Sequence, residues 1–193
     1  MTLAALQTAL AKILTDETLR GDFLAERAAT VRRLDMSVED AVALVKIDTL
    51  GLLSFADCLH RKRILDVRKV LPLTCQVLGD EFDRLLHTVI KGPPRAGRHR
   101  ADAATLVCYL CDSSVQVPIQ TPWIADLARY EMAFVTAETA GACCILRCFR
   151  FPVAAIAGAV LSGRSPGRVA PRTSIGLWLR LGRKKRLRYL LLN

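Results

Sequence analysis

An α+β fold is predicted, with an N-terminal helical bundle followed by a small C-terminal domain that carries a three-stranded antiparallel sheet. Three observations predict it. Apolar residues recur at helical spacing, behind cap residues, as far as Phe134. All 18 acidic residues lie before Thr139, whereas the rest of the chain has eleven Arg and Lys and no acid. Beyond that break, short apolar segments separated by Gly and Pro read as strands. The expected division is residues 1–138, helical and near neutral with 17 basic residues, and residues 139–193, basic and β-containing.

The elements follow in order. Thr2 is placed to cap a helix through about Leu14, and Asp16 a second that turns Leu19, Phe23 and Leu24 inward. Ser37 and Asp40 stand at capping-box spacing, with Asp a shorter partner than the usual Glu. A long helix is expected next, burying Val38, Val42, Val45, Leu50, Leu53 and Phe55, with Gly51 its weak point. Helix resumes over Ile64 to Leu78, with a start or kink at Pro72. Gly79-Asp80 reads as a stop and a new cap before the face Phe82, Leu85, Leu86, Val89 and Ile90. Gly92 to Gly97 is a loop by composition. Asp102 is expected to open a helix ending near Cys111, and 112–120 to connect. Thr121 then caps a helix with Pro122 at its first position, lined by Trp123, Leu127, Tyr130 and Phe134.

In the C-terminal part, Ile145–Phe151 reads as a strand, Pro152–Leu161 as a short helix and Ser162–Pro171 as a loop. Ser174–Leu181 and Lys185–Leu191 read as a hairpin around Gly182. An odd-length turn sets Leu179 opposite Leu187, Leu177 opposite Tyr189 and Ile175 opposite Leu191. That register gathers one apolar face, with Trp178, Arg180, Arg186 and Arg188 on the other. A slip of one residue exchanges the faces.

Composition sets limits on function. Hydrophobic residues make up 52% and charged residues 24% of the 193 positions, enough apolar material for a packed core. No apolar run approaches the roughly 20 residues of a membrane span, and the N-terminus lacks the pattern of a secretory signal. A cytoplasmic protein with seven reduced cysteines is expected. There is no phosphate-binding glycine loop, dinucleotide fingerprint, His-Glu-x-x-His pair or Gly-x-Ser-x-Gly elbow. His60, His87 and His99 show no ligand spacing, and the neighbouring arginines disfavour a cationic imidazole at His60 and His99. Cys108-x-x-Cys111 with Cys143-Cys144 could supply four thiolates to zinc. The first pair lies in an apolar helix and the second is adjacent in sequence, so core packing is the expected role and no metal site is assigned.

Two binding readings remain. The basic tip Gly182–Arg186 after a helix suggests a winged-helix-like nucleic-acid element. Alternatively, a small sheet with an exposed edge accepts an added strand from a peptide. The stretches Leu59–Arg63 and Val67–Phe82, together with Pro122–Glu131, resemble the helical partner proteins of TIM-barrel multinuclear-iron enzymes that modify cysteines in ribosomal peptides. Within that group the chain is similar to the MbnC-like accessory subunits of methanobactin biosynthesis.

The resemblance implies a heterodimer with an MbnB-like TIM-barrel iron enzyme. It implies iron in that partner and no cofactor in this chain. The pair would convert cysteines of an MbnA-like precursor peptide into oxazolone and thioamide groups with dioxygen. This chain would be a non-catalytic subunit that takes the precursor's leader as an extra strand. Carried onto this sequence, the peptide-binding residues are Ile145, Arg147, Phe149, Ile175, Leu177, Leu179, Leu187, Tyr189 and Leu191. The partner-binding residues are Trp123, Arg129 and Tyr130. No membrane is expected among the partners, and nucleic acid is the alternative.

Overall fold

The computed structural model describes residues 3–34, 36–112, 121–182 and 185–192. It is α+β, with ten helices and one small sheet among the described residues. The helices of the first half are α1 (Leu3–Thr15), α2 (Glu17–Ala25), α3 (Arg27–Arg32), α4 (Val38–Val45) and α5 (Thr49–Arg68). They continue with α6 (Pro72–Leu78), α7 (Asp80–Val89), α8 (His99–Cys111) and α9 (Ile124–Thr139). Strand β1 (Cys143–Phe149), helix α10 (Val153–Leu161) and strands β2 (Ser174–Arg180) and β3 (Arg188–Leu192) complete the chain. No described helix is long and apolar enough to cross a membrane.

Several caps stand where the sequence puts them. The Asp16 carboxylate accepts from Leu19 N at 3.1 Å, and Ser37 Oγ accepts from Asp40 N at 3.2 Å. The return half of the expected box is missing: Asp40 Oδ2 is buried without a hydrogen-bond partner among the described residues. Thr2 and the connector 113–120 lie outside the described residues. Pro72 opens α6, and Gly79, at φ 54°, closes it and sits just before α7.

The single helix expected over residues 38–55 is instead two. Asp48 caps α5 by accepting from Gly51 N at 2.6 Å, so Gly51 lies in a first turn and is no weak point. Arg27 fixes the break by donating Nη1 to Val45 O and to Ile47 O, both at 2.7 Å. The apolar stripe expected to face inward is largely outside: Val38, Val42, Leu50, Leu53 and Phe55 are exposed, while Leu44, Leu52 and Ala56 are buried. A periodicity drawn through a helix break points the second half the wrong way. Two other boundaries also moved. α8 starts at His99, and Asp102 is a buried ion-pair partner, not a cap. α9 starts at Ile124, with Thr121–Trp123 forming a turn before it.

The core falls into four clusters. Ile13, Phe23, Leu44 and Leu52 fill the first, among α1 to α5. Val67, Phe82, Leu86 and Leu106 fill the second, among α5, α7 and α8. The third joins Leu73 and Trp123 to Phe151, Ile156 and Val160 of the basic part. The fourth joins Ala133 and Ala137 of α9 to Phe149, Val153 and Trp178. The charge break near residue 138 is therefore not a break in packing.

Two buried carboxylates on α9 make the joints. Glu131 accepts from Leu73 N at 2.6 Å, Thr74 N at 2.8 Å and Thr74 Oγ1 at 2.6 Å. These are donors of the first turn of α6, so α9 caps that helix from outside. Burial pushes the Glu131 carboxyl up, and the three bonds pull it back down. Asp126 Oδ2 accepts from Arg150 N at 2.7 Å and Phe151 N at 3.1 Å, and Oδ1 accepts from Arg129 Nη1 at 2.9 Å. It holds the corner between β1 and α10. An amide in place of Glu131 turns one acceptor oxygen into a donor facing other donors. Glu131→Gln is therefore expected to lower stability by about 2 kcal/mol in urea unfolding followed by circular dichroism.

Candidate peptide-binding sheet

The sheet order is β1-β2-β3, antiparallel throughout. Strand β1 pairs with β2 from Cys143↔Arg180 to Phe149↔Ser174. It starts and ends two residues earlier than the Ile145–Phe151 expected. Strand β3 pairs with β2 as Leu179↔Arg188, Leu177↔Leu190 and Ile175↔Leu192.

This register is one residue away from the expected one, and the consequence is as the two-residue period demands. Trp178, opposite Tyr189, faces the helices, whereas Ile175, Leu177 and Leu179 face away from them. The cause is the indole. Trp178 is 0% exposed and lies across Gly176, which has no side chain to obstruct it. Its ring meets Phe134 edge-on at 5.4 Å, with Tyr130 at 6.0 Å and Phe149 at 6.3 Å. Burying an aromatic of that size outweighs burying any one leucine. The Trp178 Nε1–H is buried with no acceptor among the described residues. Lys185 N donates to Gly182 O at 2.9 Å, consistent with a turn of even length; Arg183 and Lys184, on which the turn reading also rested, lie outside the described residues.

The nine residues expected to bind peptide divide between the two faces. Ile175, Leu177 and Leu179 line the outer face, joined by Cys144, Leu146 and Cys148 of β1 and Leu190 and Leu192 of β3. Leu146, Leu190 and Leu192 are 60%, 54% and 55% exposed, so this is an uncovered apolar surface in the structure. Ile145, Leu187 and Leu191 are half-buried against the helices, and Phe149 is fully buried. Tyr189 stacks edge-on against Phe134 at 5.0 Å and keeps part of its ring exposed. Arg147 is exposed next to the outer run. Of the residues expected to meet a partner protein, Trp123 is buried in the third cluster and presents no surface. Arg129 is half-buried over the Phe149 ring at 5.3 Å, and Tyr130 is half-buried between Phe134 and Trp178.

Strands β1 and β3 are the two edges. Among the described residues, no backbone hydrogen bond from another segment reaches the outer side of either. The longer run belongs to β1, seven residues with Leu146, Arg147 and Cys148 consecutively exposed. The basic rim includes Arg147, Arg150, Lys185, Arg186 and Arg188.

The cysteines are not the core residues expected. Cys108, Cys111, Cys144, Cys148 and Cys58 are exposed, and Cys75 and Cys143 are half-buried. Partial burial pushes the Cys111 thiol up, away from the reactive thiolate. Among the described residues, no three His, Cys, Asp or Glu side chains gather as a ligand set.

No protein-family model matches the chain, and no curated protein matches it. The apolar sheet face therefore rests on its own geometry. Because the face depends on how Trp178 is seated, Gly176→Ala is the direct probe. A Cβ there would lie about 2.5 Å from the indole Cζ3 and 3.1 Å from Leu191 Cδ2. The substitution is expected to cost about 1–3 kcal/mol and to shift tryptophan fluorescence, whereas Gly141→Ala, with open space around it, leaves both unchanged.

Proposed function

We propose that this chain is the non-catalytic subunit of a heterodimeric iron-dependent oxidase that modifies cysteines of a ribosomal precursor peptide, as in methanobactin maturation. It binds the leader of that peptide by strand addition. The iron and the oxidative chemistry belong to a TIM-barrel partner. The observation that carries the reading is the open sheet edge beside an apolar, acid-free face.

A strand added to β1 would form main-chain hydrogen bonds along its length, and alternate side chains would lie on the outer leucine surface. The basic rim favours a leader with acidic residues among its apolar ones. Fixing the leader here places the following cysteine at high effective concentration near the partner's iron.

The nucleic-acid alternative is less well served. The helix before the hairpin, α10, has the sequence VAAIAGAVL, with no cation to meet phosphate. Its apolar side is committed to Trp123, Leu127 and Phe151.

The test uses the chain co-purified with its TIM-barrel partner and a synthetic leader peptide. Methylating three leader amides in the phase that faces the sheet removes three hydrogen bonds. At about 1 kcal/mol each, affinity should fall about 100-fold, and methylation in the opposite phase should leave it unchanged. Equal effects in both phases, or no co-purification, would sink the reading. Neutralising Arg183, Lys184, Lys185 and Arg186 should leave leader affinity largely intact. A steep loss, together with salt-sensitive duplex DNA binding, would favour the alternative.

A further inference from the structure

In the near-neutral part, α1, α2, α5, α7, α8 and the loop before α8 line a cleft of about 1050 Å³. Six cations line it: Lys12, Arg20, Lys62, Arg63, Lys91 and Arg98. Four carboxylates also line it, but three are already engaged. Asp102 holds Arg63 through two bonds of 2.5 and 2.6 Å, Asp57 pairs with Arg61 at 2.7 Å, and Asp66 pairs with Lys69 at 2.9 Å. Glu17 makes no ion pair among the described residues, and of the five lining cations other than Arg63, Arg20 donates Nη1 to Leu14 O at 3.2 Å. Among the described residues Lys12, Lys62 and Lys91 make no ion pair.

Two imidazoles complete the wall. His60 of α5 and His87 of α7 lie 4.5 Å apart between centroids, tilted by 59°. His60 Nε2 is shielded from solvent and has no hydrogen-bond partner among the described residues. Burial first, then His87, then Arg63 hold the His60 pKa below its ordinary value. An anion would reverse the last two effects. Leu14, Leu53, Ala56, Leu59 and Ile90 supply an apolar side to the same cleft.

We propose that this cleft binds a small organic ligand carrying two or more phosphate groups beside an apolar body. One carboxylate would offset one of five cations, whereas a diphosphate carries enough charge to engage several at once. The volume admits a ligand of nucleotide size with its apolar portion against the leucines. The lining carries more positive than negative charge, six cations against four carboxylates, and three of those carboxylates are paired.

The full chain is titrated with inorganic pyrophosphate, ADP and citrate at fixed ionic strength, following the imidazole resonances of His60 and His87 and the heat of binding. Pyrophosphate and ADP should both shift the two imidazoles, ADP more tightly because of the apolar wall, and citrate should bind more weakly than either. The exposed triple variant Lys12→Ala, Lys62→Ala, Lys91→Ala should lose about tenfold or more in ADP affinity while keeping its circular dichroism. Arg164→Ala with Arg168→Ala, on the exposed loop after α10, should leave ADP affinity unchanged. Absent imidazole shifts, citrate binding as tightly as ADP, or equal losses in the two sets of variants would each overturn the assignment.

Discussion

The structure depends on two carboxylates buried on α9. Asp126 and Glu131 each accept two backbone N–H groups that belong to other elements. Glu131 ties α9 to the start of α6, and Asp126 ties it to the corner where β1 gives way to α10. A buried carboxylate without such donors would carry a large desolvation penalty. With them it becomes a joint of fixed geometry, because the donors are backbone groups that cannot rotate away. The sheet is positioned by these joints as much as by its apolar contacts. The same helix then carries Tyr130 and Phe134 against the back of the sheet.

The sheet itself resolves a competition. Both of its faces are apolar, so hydrophobic pattern alone leaves the register open. Trp178 settles it: the indole needs a deep site, and Gly176 provides a flat place for it to lie. Three aliphatic residues of β2 are thereby turned outward, with Leu146 from one neighbouring strand and Leu190 and Leu192 from the other. A face of this kind is costly to leave in water and suits a surface that is covered when a partner arrives. The order of cause runs from one glycine and one tryptophan to register, from register to an exposed apolar face, and from that face to the strand-addition reading.

Much of the fold was legible, for reasons that differ by element. Asp16 and Ser37 act through bonds three residues away, so local sequence suffices to find them. Gly79 and Pro72 punctuate the chain through their own backbone limits. The break between α4 and α5 was hidden because Arg27, some twenty residues away, captures its carbonyls. Asp102 looked like a cap because its partner, Arg63, is 39 positions away. Within the stretches that resemble a peptide-maturation family, Leu73, Thr74, Asp126 and Glu131 are interior residues. Those two stretches meet each other through Glu131. Of the candidate site, the strands were legible from alternation, but the choice of face was not. It depends on the volume of one side chain and the absence of another, and not on period.

Charge counting misleads in the same way. The C-terminal 55 residues hold the visible excess of Arg and Lys, and the first 138 balance nearly to zero. Yet a cleft lined by six cations belongs to the balanced part. A sum over sequence treats every acid as cancelling every base. In the folded chain Asp57, Asp66 and Asp102 are spent on particular partners, and cations from three helices and the loop between α7 and α8 line the space beside them. Coulomb energy falls with distance and is screened within about 10 Å, so what matters is which charges remain unmatched within that radius. Net charge reports solubility and long-range steering, whereas a site's field is set by the pairing around it. Two surfaces of different character can therefore share one chain: an apolar sheet rimmed with arginine, and a cleft whose field arises only after folding has paired its acids.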